Sequence, residues 1–272
     1  MIKNYVFDVD GTLTPSRQRI DPEFAQWFTK FAETHNVFLV TGSDYPKTLE
    51  QVGHDVMMSV RRVYNCSGND VWEKGVNIRR KEFMLPHDLE KFMYDWLQAS
   101  KFPLRTGTHV EKRPGTVNFS IVGRGASLEE RQEYVQWDKH NRERETIAYQ
   151  INEGWDDITA AIGGETGLDI FQTGCDKSQI LVDFTPNDVI YFFGDAMFEG
   201  GNDWPLAQAN VKGKNFPIAG WEHTWEILKT VWDEEHDNAS TSWNVDNQYK
   251  KAKGKEIYGK ATPEVGGGLA AT

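Results

Sequence analysis

Cysteine is scarce in this 272-residue chain, Cys66 and Cys175 being the only two. That leaves no material for a disulfide framework or a cysteine-built zinc site, and a reducing cytoplasm is the expected compartment. Long hydrophobic runs are missing as well. No stretch of about eighteen apolar residues exists to span a bilayer, and the N-terminus MIKNYVFDVDGT turns acidic too soon to form a signal-peptide core. The reading is a soluble, unsecreted protein with no membrane partner. Positive charge is in short supply: 30 Lys and Arg face 41 Asp and Glu, a net charge of −11. No general attraction to nucleic acid or anionic lipid follows from such a balance, so nucleic acid is excluded as a partner. An anionic substrate must then be held by a local cluster of cations or by a metal. Apolar surface, by contrast, is plentiful: 39% of residues are hydrophobic and 12% aromatic, with ten Trp, which excludes global disorder. The length suits two domains better than one.

Three short continuous apolar runs read as strands of a buried parallel sheet: Tyr5-Val6-Phe7, Val37 to Val40 and Val189 to Phe193. Between the first two, Asp21-Pro22-Glu23 is an N-cap followed by Pro at the first helical position. Phe24, Trp27, Phe28 and Phe31 then recur at helical spacing. Strand, helix, strand is the βαβ unit of a doubly wound α/β sheet. A helix from Tyr45 to Val52, a strand from Arg62 to Asn65 and a last strand from Asn215 to Ala219 extend it. The middle of the chain has another rhythm. A helix is expected from His87 to Ala99, a half-exposed alternating strand from Thr116 to Val122, and one long helix from Ser127 to Asn152 opened by a capping box at Ser127 and Glu130. Two strands near 157–162 and 168–171 complete an inserted α+β domain. The expected division is a discontinuous core, 1–85 and 174–232, a cap, 86–173, and a loosely held tail, 233–272, whose polar and small residues show no periodicity.

The most informative stretch is Phe7-Asp8-Val9-Asp10-Gly11-Thr12, directly after the first strand. Residues two apart on a strand face the same way, so Asp8 and Asp10 can both reach a pocket at its carboxyl edge. Gly11 permits a sharp turn that brings backbone N–H groups to the same spot. Two carboxylates so close repel by about 4 kcal/mol at moderate effective dielectric, so a cation must accompany them, and Mg²⁺ is the hard cation suited to oxygen ligands and phosphate. The second strand ends in Thr41-Gly42-Ser43. The third ends in Gly194-Asp195 and leads to Asn202-Asp203, while Lys177 lies where the chain re-enters the sheet domain. In open α/β sheets ligands bind at that carboxyl edge.

These elements, in this order, resemble the haloacid dehalogenase superfamily of phosphotransferases. The resemblance implies Asp8 as nucleophile and Asp10 as general acid and base, with Thr41, Gly42 and Lys177 around the phosphate. It also implies Mg²⁺ held by the group Asp8, Asp10, Asp195, Asn202 and Asp203. The insert, with Arg17 ahead of it, carries Lys112-Arg113-Pro114 through Arg124 and then Arg131, in which detail the chain looks like the phosphomannomutases of the eukaryotic type. That likeness implies Arg113, Arg124 and Arg131 gripping a distal phosphate, Arg17 lining the site between domains, and Asn118 and Asp169 touching sugar hydroxyls. It further implies a sugar-phosphate substrate, hexose 1,6-bisphosphate as activator, and a homodimer through the cap in which Phe92 and Trp96 take part. Gly167 stands where the family usually has a serine.

The expected activity is interconversion of mannose 6-phosphate and mannose 1-phosphate through a phospho-aspartate. A sugar-phosphate phosphatase of the same fold is the nearest rival, but it needs only one phosphate pocket. A non-catalytic binding protein is the rival of another class, and it would have no use for both Asp8 and Asp10.

Overall fold

The structure, a computed structural model, describes residues 1–237. A seven-stranded sheet in the order β11-β10-β1-β2-β3-β4-β5 forms its larger part. Here β1 is Ile2–Phe7, β2 Asn36–Val40, β3 Arg62–Asn65, β4 Asp70–Glu73, β5 Val76–Arg80, β10 Asp188–Gly194 and β11 Lys214–Pro217. The five strands from β11 to β3 are parallel, and β4 and β5 add an antiparallel hairpin. Burial on both faces explains the continuous apolar runs. Tyr5 and Phe7 enter a core shared with helices α1 (Pro22–Thr34), α2 (Tyr45–Ser59) and α7 (Trp221–Asp237), where Phe24, Phe28, Phe31, Val56 and Leu228 pack. Val6 points the other way, toward Ile180 in a short 3₁₀ helix (Lys177–Asp183) and Leu206 in α6 (Trp204–Ala209).

The expected N-cap of α1 is present: the Asp21 carboxylate accepts from the N–H groups of Glu23 and Phe24. Strand register sets where the polar ends of the parallel strands come out. Phe7 pairs with Phe193 on one side and Leu39 on the other. The residues after β1, β2 and β10 therefore emerge together at one edge, where the strand order reverses about β1.

The elements from α3 (His87–Ala99) to β9 build a second, antiparallel sheet, β6-β7-β9-β8. Its strands are β6 (Val110–Arg113), β7 (Thr116–Phe119), β8 (Ile158–Gly163) and β9 (Gly167–Gln172). One face packs on α3, α4 (Leu128–Asn141) and α5 (Glu143–Gly154) through Val117, Phe119, Ile170, Met93, Tyr134 and Ile151. The expectation of a half-exposed strand at 116–122 is corrected: all of β7 is buried, and even Asn118 is only 4% exposed. Its polar side faces the carboxyl edge of the large sheet, where Arg113 Nη1 donates to the Gly42 carbonyl at 3.3 Å. Phe92 and Trp96 are half-buried against this sheet's own core, and the Trp96 indole N–H donates to Gln150. No sequence pattern announced β4, β5 and β6, which are short and rich in charge.

The long helix expected over 127–152 is two helices. The capping box at Ser127 and Glu130 is present, but the chain turns into the left-handed region at Arg142 (φ 52°, ψ 38°). Asp138 restarts it, accepting from the Arg144 N–H at 2.9 Å and from Arg144 Nε at 2.7 Å. A helix also continues to Asp237, so the segment expected to begin the tail, 233–237, is helical, and residues 238–272 lie outside the described residues. Among the described residues no helix is long and apolar enough to cross a membrane, and both cysteines are free thiols. Because Arg142 already occupies a conformation that glycine adopts without cost, Arg142→Gly is expected to hold or raise stability by up to about 1 kcal/mol. Asp138→Ala should lower it by about 2 kcal/mol through the lost cap and ion pair. Urea unfolding of the two variants checks both, and a large loss in Arg142→Gly would contradict the strain argument.

Candidate active site

Immediately after β1, Asp8 is held at the sheet edge by its N–H, which donates to the Phe193 carbonyl at 2.9 Å. Its side chain is almost wholly buried. Lys177, the first residue of the 3₁₀ helix, lies fully inside and donates to Asp8 Oδ1 at 2.6 Å and Asp203 Oδ1 at 2.7 Å. Asp203, just ahead of α6, is fixed from its other oxygen by the Ala196 N–H. Carboxylate oxygens of Asp8, Asp195 and Asp203 all lie within 4.8 Å of one another. Burial is the main force pushing the Asp8 carboxyl well above its usual range. Lys177 opposes that rise, while Asp203 and Asp195 add to it. Burial favours the neutral amine of Lys177, but the two carboxylates outweigh it and hold the ammonium charged.

Each close carboxylate pair costs about 3 kcal/mol at moderate dielectric, and one ammonium compensates only part of the excess. Three hard oxygen donors converging with net negative charge suit a small divalent cation such as Mg²⁺. Gly11 makes the convergence possible. Its φ is +75°, and a Cβ there would stand 2.5 Å from Asp195 Oδ2, so only glycine lets the chain approach that carboxylate.

Asp10 is held apart from this cluster. Its Oδ1 accepts from the Arg17 N–H at 2.6 Å and from Gln51 Nε2 at 2.8 Å, and its Oδ2 lies 3.5 Å from the Ser43 hydroxyl. The two carboxylates of the Asp-x-Asp pair therefore have different surroundings: Asp8 is paired with an ammonium, Asp10 with an amide, a backbone N–H and a hydroxyl. Thr41, at the end of β2, is buried and its Oγ1 accepts from the Ser43 N–H.

The small sheet closes the space from above. Glu111, Asn118 and Asp169 sit opposite one another across β6, β7 and β9, so they share one face and one row. Asn118 Nδ2 donates to Asp169 Oδ1 at 2.8 Å, and among the described residues Asn118 Oδ1 is buried without a partner. Between the two sheets lies a cavity of about 330 Å³. Asp8, Asp10, Arg17, Thr41, Gly42 and Asn202 line it from the large-sheet side, and Arg113, Asn118, Arg124 and Asp169 from the small-sheet side. Arg17, at φ +59°, has its pKa lowered to about 10 by burial and by the Arg124 and Arg131 charges nearby.

Most residues singled out in the sequence thus meet at one place, though not all line the cavity. Lys177 and Asp203 lie beneath Asp8. Arg131 lies outside the lining, buried, with Nη2 donating to Thr166 Oγ1 at 3.0 Å and Nε 3.6 Å from Glu165. Ser43, Gln51 and Glu111 were missed. Gln51 had a signal, being a polar residue among Thr48, Val52 and Val56 on the buried side of α2. Glu111 had one too, two residues before Arg113 on the same strand face.

Removing the ammonium would leave two buried carboxylates face to face. Lys177→Met is therefore expected to cost about 3–5 kcal/mol of stability at pH 7. A carboxyl whose pKa is higher folded than unfolded binds more protons in the folded state, so its cost to folding is relieved as pH falls. The variant should regain more stability than the wild type between pH 7 and pH 5. Parallel stability profiles from urea unfolding across that window would contradict the pairing.

Comparison with known proteins agrees with this geometry. Residues 24–234 match the family described as eukaryotic phosphomannomutase. The phosphomannomutase of Spinacia oleracea is 33% identical over 209 residues, covering 74% of this chain and 84% of that one. Phosphomannomutase 1 of Homo sapiens is 34% identical over 213 residues, covering 74% and 81%. Among solved structures, a haloacid dehalogenase-like hydrolase from Bacteroides thetaiotaomicron shares the fold at 11% identity and TM-score 0.54, covering 85% of this chain and all of that one. The IMP-nucleotidase of Plasmodium falciparum does so at 14% identity and TM-score 0.56, with 85% and 61% covered. The architecture is haloacid dehalogenase-like, and by its sequence over most of its length the chain belongs to the eukaryotic phosphomannomutase family.

Proposed function

We propose that this protein is a phosphohexomutase that interconverts mannose 6-phosphate and mannose 1-phosphate through a phospho-aspartate at Asp8 and a hexose bisphosphate. The observation that carries the reading is the double-ended cavity of about 330 Å³, with Asp8 and Asp10 at its large-sheet end and Arg113 and Arg124 at its small-sheet end. A phosphatase needs the first end only. A mutase must grip the phosphate that is not reacting, and Arg17, Arg113 and Arg124 would do so.

In the proposed reaction an Asp8 oxygen attacks phosphorus and the bond to the leaving sugar oxygen breaks. Asp10 protonates that oxygen. Transfer in the other direction has Asp10 remove the proton of the accepting sugar hydroxyl as it takes the phosphoryl group from Asp8, a contribution of about 10²–10⁴ in rate. The separate surroundings of the two carboxylates support that division of labour, with the Arg17 N–H and Gln51 amide aiming Asp10. Thr41, Gly42 and Lys177 would hold the transferring phosphoryl group, and Asn118 and Asp169 the sugar hydroxyls. Asp8, Asp195 and Asp203, with Asn202 and the backbone at Asp10 nearby, would hold Mg²⁺, which when bound neutralises charge on the phosphoryl oxygens. Residues 86–173 would act as a cap that excludes water. Hexose 1,6-bisphosphate would prime Asp8 as activator, and a homodimer through the cap completes the reading.

Asp8→Asn should abolish turnover with the fold intact, because the amide keeps the shape and loses the nucleophilic charge. Near wild-type activity in that variant would exclude the covalent route. Arg124→Ala separates mutase from phosphatase. One charge-assisted bond to a buried phosphate is worth about 1.5–3 kcal/mol, so isomerisation should slow about ten- to a hundredfold. Hydrolysis of a small ester with no second phosphate should change little. Parallel loss of both would mean that the arginine serves closure rather than a distal phosphate.

A further inference from the structure

The arginine end of the cavity contains an anion of its own. Glu111 Oε2 accepts from Arg113 Nη2 at 2.5 Å and lies 3.1 Å from Arg124 Nε, so one carboxylate bridges two guanidinium groups. Its place in the fold is fixed by the two-residue period of a strand: Glu111 and Arg113 share a face of β6, and that face looks into the cavity. The three partners differ in their access to water. The Glu111 side chain is 34% exposed, whereas that of Arg113 is 10% and that of Arg124 is 24%. A carboxylate can swing out to solvent more readily than two largely enclosed guanidinium groups can.

Resting on the reading of these arginines as a distal phosphate site, we propose that Glu111 is an exchangeable counter-anion. It bridges Arg113 and Arg124 whenever no phosphate is there and is displaced when one arrives. Two physical constraints lead to this role. A phosphate on the arginine pair and an ionised Glu111 in its present position would crowd like charges into one enclosed space. And a bisphosphate that must turn end for end has to leave the arginines, which would strand buried cations with no partner. Burial, followed by the neighbouring Arg113 charge, lowers the pKa of Arg124, whereas Asp169 and Glu111 outweigh burial and raise that of Arg113. Arg113 also keeps its Nε buried without a hydrogen-bond partner among the described residues. Arg113 thus has donor capacity that its contacts with Glu111 and the Gly42 carbonyl do not use. By taking the place of the departing phosphate, Glu111 would weaken ground-state binding and speed its exchange.

The role differs from that of a strut that merely props the arginines in place, because the two predict opposite signs. On the Asp8→Asn background, where turnover is stopped, mannose 6-phosphate binding is measured by isothermal titration calorimetry. Exchange predicts that Glu111→Gln tightens the dissociation constant about tenfold or more, since the competing charge is gone. With Asp8 restored, KM and kcat should fall together. Glu111→Asp, which keeps the charge, should restore binding and KM part of the way from the Glu111→Gln values toward those of the wild type, and a Glu111→Asp indistinguishable from Glu111→Gln would count against a role for the charge. Unchanged or weaker binding in Glu111→Gln would overturn the proposal and leave Glu111 a strut. Arg124→Ala in the same titration keeps the two levels apart. Weaker binding there upholds the distal phosphate site whatever Glu111 does, and unchanged binding would remove that site and the exchange with it.

Discussion

An ammonium group shut away from water holds two carboxylates in place at the centre of this molecule, and the arrangement of the site follows from that constraint. Lys177 reaches Asp8 and Asp203 from a 3₁₀ helix that packs under the sheet edge. Each of the three groups would be costly to bury alone, and the two ion pairs offset part of that cost. The pairing constrains the backbone around it. Asp8 must follow β1 directly, Asp203 must stand ahead of α6, and Gly11 must turn with positive φ to let Asp195 approach. The parallel register of β1 with β2 and β10 delivers these residues to one edge without any further device.

The small sheet answers that negative cluster with positive charge across a narrow space. Arg113 and Arg124 face Asp8 and Asp10 through the cavity, and the arginines of this smaller domain are themselves restrained by acidic neighbours, Glu111 for these two and Glu165 for Arg131. A chain carrying −11 overall thus builds a local zone of positive charge, held in partial balance by Glu111 and Glu165. The Gly42 carbonyl, touched by Arg113, joins the two sheets at the same point.

The parts of this arrangement that were legible in the sequence are those encoded in neighbouring residues. Apolar runs at β1, β2 and β10 marked the buried sheet, and the Asp-x-Asp-Gly pattern marked its functional edge. Asp21 and Ser127 marked helix starts, because a cap is a short-range hydrogen bond. What was not legible depends on packing between distant segments. The helix break at Arg142 is the local exception: Asp138 reaches Arg144 only six positions on, and no glycine or proline marks the turn. The burial of Asn118 requires the large sheet above it, so an alternating strand looked half-exposed when it is covered on both sides. Gln51 reaches Asp10 across 41 positions, and only the docking of α2 beside β1 brings them together.

The proposed reaction moves a phosphoryl group between two positions of a sugar rather than to water. It is tested most directly by the fate of phosphorus. The purified protein, incubated with Mg²⁺, mannose 1-phosphate and a trace of hexose 1,6-bisphosphate, would be followed by ³¹P NMR. A mutase would accumulate mannose 6-phosphate with little inorganic phosphate. Inorganic phosphate as the main product, with no mannose 6-phosphate formed, would contradict it.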